Sequence, residues 1–171
     1  MMRILFVCTG NTCRSPMAEY ITLRLAKEYN LSDQISVSSA GVAALPGAAI
    51  SPAAESALNR RGIEHGARHQ ATRATADRIV DADLILTMSA AHKETLSARY
   101  PEASGRIHTL LEYVSSLPPL PESASDENGA LVKPSSGVDI ADPFGGDEEL
   151  YELTAVQIET ACRRLLEHWR V

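Results

Sequence analysis

The sequence predicts an α/β fold, a single doubly wound domain in which helices flank both faces of a four-stranded parallel sheet. Apolar strand candidates alternate with helical segments along the chain, as they do in parallel sheets. The first candidate, Arg3–Val7, is an apolar run of branched and aromatic residues typical of a strand buried on both faces. The composition agrees, because 171 residues with 44% hydrophobic and 22% charged residues are usual for one globular domain, here residues 1–171.

The other elements follow the first strand in order. That strand ends at a loop containing Gly10 and Asn11, which tolerate the positive φ of tight turns. Ser15-Pro16 then starts a helix, because proline fits the first helical turn. The further strand candidates are residues 35–38, 82–88 and 106–110. The further helix candidates begin at Ser51-Pro52, cover 72–80, run from Ser89 to about Arg99, and begin near Glu148.

The C-terminal part of the chain contains a long loop and the last helix. Residues Leu117–Gly137 include four prolines and several serines, which predicts an exposed loop insertion. The helical spacing of apolar residues predicts which side of the last helix is buried. The predicted face consists of Leu150, Leu153, Ile158, Ala161, Cys162, Leu165 and Trp169.

The charge and the cysteine content exclude several classes of protein. A net charge of −6, from 16 Lys and Arg against 22 Asp and Glu, argues against a nucleic-acid partner or a basic membrane surface. No apolar run approaches the ~20 residues that cross a bilayer, and the N-terminus lacks the layout of a signal peptide. Three cysteines form no disulfide framework. We expect a reduced, cytoplasmic monomer that needs no cofactor.

The segment between the first strand and the first helix, Cys8–Ser15, predicts an anion site. Backbone N–H groups that converge at a helix N-terminus bind anions and stabilise a thiolate such as that of Cys8. The planar guanidinium of Arg14 binds two phosphate oxygens at once. Ser15 is placed to donate a hydrogen bond to the sulfur. These residues suit phosphoryl transfer, in which Cys8 attacks phosphorus and water hydrolyses the phosphocysteine.

Such a reaction also needs an acid for the leaving group, and Asp142 is the candidate. Pro143 stiffens the backbone beside it, and the glycines in Phe144-Gly145-Gly146 permit a sharp loop. The same carboxylate would activate water in the second step. The neighbouring Asp139 is interpreted as a solvated loop residue.

The sequence resembles the low-molecular-weight protein tyrosine phosphatases over nearly its whole length. The resemblance rests on the Cys8–Ser15 loop, Ser39-Ala40-Gly41, the 82–88 strand with Ser89 after it, and Asp142-Pro143. It implies a phosphate-binding loop built by Thr9, Gly10, Asn11, Thr12, Cys13 and Ser15 with Ser39 behind it. In the family the matching Asn is left-handed and held by serines and a histidine, which implies contacts of Asn11 with Ser15 and Ser39, and with His69 as a weaker candidate.

Two residue positions make the sequence similar to the bacterial protein arginine phosphatases within that family. Most tyrosine-directed members carry Ile or Leu where this chain has Thr12, and many carry aromatic residues including Tyr where it has Phe144-Gly145-Gly146. The resemblance implies that Thr12 and Phe144 select the substrate, that phosphorylated proteins are the partners, and that inorganic phosphate is the product. It also suggests a protective Cys8–Cys13 disulfide, although Cys13 serves equally as packing beneath the loop.

Three alternatives stay open at this point. A phosphotyrosine phosphatase would use the same residues, with Thr12 as a tolerated variant. An arsenate reductase is disfavoured, because outside the loop the chain has only Cys162 to resolve an arsenic adduct. A non-catalytic phosphocarrier would also use a cysteine loop but would not need Asp142. No cluster has the spacing of metal ligands, and the scattered His65, His92, His108 and His168 are expected at the surface or at helix ends.

Overall fold

The sheet has four strands, and neighbouring strands run parallel, as the sequence predicts. The computed structural model describes residues 1–119 and 137–170. The strands are β1 (Met2–Cys8), β2 (Ile35–Gly41), β3 (Leu84–Thr87) and β4 (Ile107–Thr109). Their order across the sheet is β2-β1-β3-β4, so β1 lies inside the sheet between β2 and β3.

Helices cover both faces of this sheet. They are α1 (Arg14–Glu28), α2 (Pro52–Asn59), α3 (Ala76–Asp81), α4 (Ala90–Arg99), α5 (Leu110–Ser116) and α6 (Glu148–Trp169), with short 3₁₀ turns at His65–Arg68 and Pro101–Arg106. Alternate residues of β1 point to opposite faces. Ile4 and Phe6 pack in the core with α1, α2 and α6, whereas Leu5 and Val7 pack on the other side with residues of α3 and α4.

Three predicted elements are shorter than expected, and one of them is the strand predicted over 82–88, which covers Leu84–Thr87. The predicted helix over 72–80 begins only at Ala76, because residues 72 and 73 lie against the end of β2: the Gly41 N–H donates to the Thr72 carbonyl at 2.9 Å, and Gly41 and Arg73 form an isolated bridge. The predicted strand over 106–110 ends at Thr109. There, the Thr109 and Glu112 side chains form a capping box that starts α5, a helix that the sequence analysis missed.

The buried face of α6 differs from the predicted one in its first two turns. Leu150 and Leu153 are 37% and 61% exposed, whereas Tyr151, Thr154 and Ala155 are buried. The reason is that α6 packs against α1 and α2, and that contact selects the other apolar stripe of the helix. The predicted Ile158, Ala161, Cys162 and Leu165 are buried, and Trp169 packs half-buried against the same core.

Most of the predicted loop insertion, residues 120–136, lies outside the described residues, so the prediction of an exposed loop stays a prediction. Across 1–119 and 137–170, no helix combines the length and the apolar character that crossing a membrane requires.

Candidate active site

The cysteine loop, Cys8–Ser15, which is also called the phosphate loop below, joins the carboxyl end of β1 to the N-terminus of α1. Cys8 is the last residue of β1, and its side chain is buried. The Asn11 backbone N–H donates to the Cys8 Sγ at 3.3 Å, and the Ser15 Oγ lies 2.9 Å from the same sulfur. A backbone N–H and a hydroxyl therefore converge on the Cys8 sulfur at the N-terminus of α1.

Asn11 fixes the shape of this loop. Its backbone is left-handed, with φ of 54°. Its side-chain Nδ2 donates to the Ser15 Oγ at 2.9 Å and to the Ser39 Oγ at 2.8 Å, while its Oδ1 accepts from the Thr72 N–H at 2.9 Å. Its carbonyl oxygen lies 2.7 Å from the His69 Nε2. The predicted contacts of Asn11 with two serines and a histidine are therefore confirmed, and Thr72 is an additional partner.

These contacts also set the direction of the Ser15 hydroxyl. Its oxygen accepts from Asn11, so its one proton remains for another acceptor. The Cys8 Sγ at 2.9 Å is closer than the Ala40 carbonyl at 3.4 Å. Ser15 is therefore positioned to donate to the sulfur and to stabilise it as a leaving thiolate.

A second layer of buried polar groups supports the loop from behind. Since the Asn11 carbonyl accepts from the His69 Nε2–H, the His69 Nδ1 is the acceptor for the Tyr20 hydroxyl at 3.5 Å. The Ser39 hydroxyl donates to Glu19, and burial raises the pKa of that carboxyl. The orientation of Asn11 is thus fixed by α1, β2 and the segment that contains His69.

Gly41 is where β2 comes closest to the loop. A Cβ at this position would lie 2.4 Å from the Thr9 carbonyl oxygen and 3.0 Å from the Asn11 nitrogen. The next two N–H groups donate to the Cys8 and Thr9 carbonyls, each at 3.0 Å. Only glycine permits this approach, because any side chain at position 41 would collide with the cysteine loop.

Arg14 connects the cysteine loop with the loop around Asp142. Its side chain is 7% exposed, its Nη1 donates to the Ile140 carbonyl at 3.0 Å, and its Nη2 lies 3.4 Å from the Asp142 Oδ2. Asp142, whose side chain is 53% exposed, is thereby placed at the opening of the anion site. The structure brings together the predicted nucleophile, cation and acid from the two ends of the chain.

The acid loop, residues 139–146, is attached to the carboxyl end of β3. The Ile140 N–H donates to the Met88 carbonyl at 2.7 Å. Asp139, which was expected to be solvated, accepts at 2.7 Å from the N–H of Ala90, the first residue of α4. Asp139 is an exposed loop residue, as expected, and this additional hydrogen bond connects the start of the acid loop to the N-terminus of α4.

The two residues predicted to select the substrate lie in these two loops. Thr12 is half-buried, and its Oγ1 lies 3.6 Å from the point where a Cβ on Gly10 would be, so the hydroxyl lies beside the loop glycine. Phe144 is 83% exposed, and the Phe144 N–H donates to the Asp142 Oδ1 at 3.1 Å. Gly145 follows with φ of 77°, which explains the glycine at the bend.

The sequence of this chain is similar to that of a known protein family. Residues 3–120 match the family model described as low molecular weight phosphotyrosine protein phosphatase. The chain belongs to this family. A Protein-arginine-phosphatase of Geobacillus stearothermophilus is 37% identical over 96% of this chain and 94% of its own length. The low molecular weight protein-tyrosine-phosphatase PtpB of Staphylococcus haemolyticus is 35% identical over 92% of each chain.

A solved structure of a family member is similar over nearly the whole chain. It is described as YwlE arginine phosphatase, a mutant with serine in place of a cysteine and a phosphorylated active-site serine. Its TM-score is 0.80 and its identity 34%, with 96% of this chain and 93% of that chain covered. The predicted family and fold class are therefore confirmed, and the protein is a phosphatase of this family.

The second cysteine of the phosphate loop, Cys13, is not placed as a nucleophile. Burial raises the pKa of the Cys13 thiol to about 12, so this thiol is protonated at neutral pH. The Tyr151 side chain of α6 forms a hydrogen bond with this thiol, and the sequence pattern did not single out Tyr151. Cys8 and Cys13 are both free thiols in this structure, and their pairing stays a prediction. Cys162 is fully buried in the core, as expected.

His92 lies in the first turn of α4, at a helix end as one of the two expectations had it, but it is buried. It is only 6% exposed, its Nε2 lies 2.8 Å from the Thr9 Oγ1, and its Nδ1 lies 2.9 Å from the Ser89 Oγ. Burial and the nearby Arg14 lower the pKa of His92 to about 4, so the ring is neutral at pH 7. Its position three residues after Ser89, in the turn that follows β3, was a signal that the sequence did offer.

The described part of the chain contains no group of three or more His, Cys, Asp or Glu side chains able to hold a metal ion.

Proposed function

We propose that this phosphatase hydrolyses phosphoarginine in proteins through a phosphocysteine intermediate. The observation that carries the proposal is the combination of the Thr12 hydroxyl, beside Gly10 in the phosphate loop, with Asp142, which Arg14 holds next to that loop. The protein-arginine-phosphatase relative supports it. Phosphoarginine carries a guanidine beside its phosphoryl group, and once Asp142 has given its proton, its carboxylate pairs with the guanidinium that leaves, which a phenol leaving group does not offer.

In the first step, the Cys8 thiolate attacks phosphorus. The S–P bond forms as the P–N bond breaks, and Asp142 gives its proton to the departing guanidine nitrogen. Arg14 and the loop N–H groups stabilise the charge on the phosphoryl oxygens. The solved relative with a phosphorylated serine in its active site supports a covalent intermediate of this kind.

In the second step, water attacks the phosphocysteine. Asp142 takes a proton from the water as the new P–O bond forms, and the S–P bond breaks to release inorganic phosphate. Ser15, which has one proton available for the sulfur, stabilises the departing thiolate. The cycle restores the protonated Asp142 and the Cys8 thiolate, so it consumes only the phosphorylated residue and water.

The discriminating experiment compares kcat/KM for phosphoarginine and phosphotyrosine in the wild type, in Thr12→Ile and in Thr12→Val. We expect the wild type to prefer phosphoarginine and Thr12→Ile to shift at least about tenfold toward phosphotyrosine. Thr12→Val keeps the shape of threonine without its hydroxyl, so it separates hydrogen bonding from steric fit. A wild type that prefers phosphotyrosine would overturn the substrate assignment.

Phosphotyrosine is the second candidate substrate, and the similarity to PtpB of Staphylococcus haemolyticus favours it. The nucleophile, the arginine and the acid would keep their roles. A phosphocarrier, in contrast, would retain the phosphoryl group on Cys8. Rapid release of inorganic phosphate by the wild type, abolished by Asp142→Ala, distinguishes the phosphatase from the carrier.

The working environment is part of the proposal. We place the enzyme in the cytoplasm as a monomer without a cofactor, acting on phosphorylated proteins and not on nucleic acids or membranes. The net charge of −6 and the free thiols support this placement. Light scattering on the purified chain gives the oligomeric state, and a dimeric mass would overturn the monomer.

A further inference from the structure

His92 lies behind the phosphate loop and touches it through one side chain. Its Nε2 is 2.8 Å from the Oγ1 of Thr9, the residue that follows the nucleophile. Among the residues that the structure describes, His92 is the hydrogen-bond partner of that hydroxyl. The Thr9 backbone is held independently, since its carbonyl accepts from the Ala43 N–H at 3.0 Å. The imidazole therefore acts on the direction of the Thr9 hydroxyl rather than on the path of the chain.

The N-terminus of α4 determines which nitrogen of His92 carries the proton. The Ser89 Oγ caps this helix by accepting from the His92 backbone N–H at 3.3 Å. Its own proton remains available for the His92 Nδ1, 2.9 Å away. A neutral imidazole has one N–H, so when Nδ1 accepts, Nε2 carries the proton and donates to the Thr9 Oγ1.

The charges around the site favour the same arrangement. With the Thr9 oxygen accepting from His92, the Thr9 proton is free to point toward a bound phosphoryl group. The reverse arrangement would direct the Thr9 proton to the imidazole and leave lone pairs facing an anion. Thr9 is exposed, and the charged groups that act on His92 are Arg14, Asp142 and Asp139, which border the site.

We propose that His92 is a positioning residue that, held by Ser89, turns the Thr9 hydroxyl into a hydrogen-bond donor for the phosphoryl group. The proposal rests on the proposed phosphatase activity and adds to it a donor outside the loop backbone. It gives the Ser89-x-x-His92 pair a role beyond helix capping. It also explains why a histidine is buried with both ring nitrogens hydrogen-bonded.

A double-mutant cycle on Thr9 and His92 tests this proposal. Thr9→Val keeps the side-chain shape and removes the hydroxyl. His92→Leu removes both ring nitrogens, and His92→Gln keeps an amide donor near the Nε2 position. His108→Leu is the matched control, since His108 is half-buried in β4 against the Tyr113 ring. The readouts are kcat/KM for p-nitrophenyl phosphate and for phosphoarginine, and the Kd for inorganic phosphate.

We expect Thr9→Val and His92→Leu each to lose about 10- to 100-fold in kcat/KM, as a donor to a charged oxygen does. In the Thr9→Val background, His92→Leu should cost less than about twofold more, because the hydroxyl it acts on is already gone. His92→Gln should recover most of the loss. His108→Leu should stay within about twofold of the wild type in both backgrounds.

Two results would overturn the proposal. One is a Thr9→Val variant whose kcat/KM and phosphate Kd equal those of the wild type. The other is additive losses in the double variant, which would make His92 a packing residue only. If His92→Leu does not fold, the Thr9→Val result and the His92→Gln cycle still decide.

Turnover of p-nitrophenyl phosphate without turnover of phosphoarginine would reject the substrate assignment and leave this cycle interpretable. A wild type with no turnover would reject the phosphatase activity, and the Kd cycle would still test His92.

Discussion

The phosphate loop and the acid loop supply the two halves of one site but are built in opposite ways. Cys8, Asn11, Arg14 and Ser15 are buried, and hydrogen bonds from β2 and from the segment around His69 surround the loop. In the acid loop, Asp142 is half exposed and Phe144 is 83% exposed. The acid loop is anchored to the sheet side at its start, through Ile140 and Asp139, and Asp142 is held by Arg14.

This difference follows from what each loop has to do. Stabilising charge on a phosphoryl group requires donors fixed before the substrate arrives, and the buried hydrogen bonds of Asn11 fix the shape of the loop that carries them. The acid has to meet a protein side chain that enters from outside, so it lies at the opening. Arg14 links the two loops, because its Nη1 donates to the Ile140 carbonyl and its Nη2 lies next to the Asp142 carboxylate. Substitutions in the two loops should therefore have different kinetic consequences.

The largest expected effect is that of Cys8→Ser. Without the sulfur nucleophile, kcat should fall by at least about 10,000-fold. Thermal stability should change little, because serine fits the volume of the cysteine and the Ser15 contact persists. Activity and Tm are measured together, with Cys162→Ala as the control for loss of a buried thiol. Turnover that survives Cys8→Ser would contradict the assignment of the nucleophile.

In the acid loop, Asp142→Asn should lower kcat for phosphoarginine by about 100- to 10,000-fold, the usual contribution of a general acid. The loss should be smaller for an aryl phosphate with a good leaving group, because that group needs less protonation. Asp139→Asn is the matched control, since an asparagine oxygen still accepts from the Ala90 N–H. Equal losses for good and poor leaving groups would exclude Asp142 as the acid of the first step.

Asn11→Ala tests the shape of the phosphate loop without touching the nucleophile. It leaves Ser15, Ser39 and the Thr72 N–H without their shared partner and removes a residue suited to positive φ. We expect kcat/KM to fall about 100-fold and Tm to fall by a few degrees, because buried polar groups lose a hydrogen-bond partner. Asn30→Ala is the control, because Asn30 has φ of 58° but lies beyond the end of α1. If both variants lose activity equally, the network around Asn11 has no specific role.

A further expected effect concerns stability and not activity, as a pH dependence at His92. Unfolding returns the His92 pKa from about 4 to the usual 6.5, so the unfolded state binds the extra proton first. The free energy of unfolding should therefore fall as pH decreases from 7 to 4, by roughly 3 kcal/mol from this residue. Urea titrations of the wild type and His92→Gln at several pH values isolate this contribution. Parallel curves for the two proteins would contradict it.

The sequence could predict most of the phosphate loop because its parts are contiguous. A strand, a Gly-Asn turn and a Ser-Pro helix start determine residues 8–16 locally, and the observed helix begins at Arg14. The partners from distant segments could not be predicted in the same way. Thr72, His92 and Tyr151 reach the loop only through the order of the strands and the packing of α6.

The errors in secondary structure have similar physical causes. The start of α6 carries two apolar stripes, and contact with α1 and α2, which the sequence does not specify, decides which one is buried. The missed α5 did have a local signal, the Thr109-x-x-Glu112 capping box. The competing signal is Leu110, which continues the apolar run of β4 and therefore favours a longer strand.

The long-range contacts of Asn11 and Arg14 have a consequence for synthesis of the protein on the ribosome. Cys8 is synthesised before the segments on which its surroundings depend, since the loop around it is held by His69 and Thr72, and the Arg14 contact requires Ile140. A nascent chain that ends before residue 140 holds the whole cysteine motif but lacks the arginine anchor and Asp142. We therefore expect translation products that end before residue 140 to be inactive.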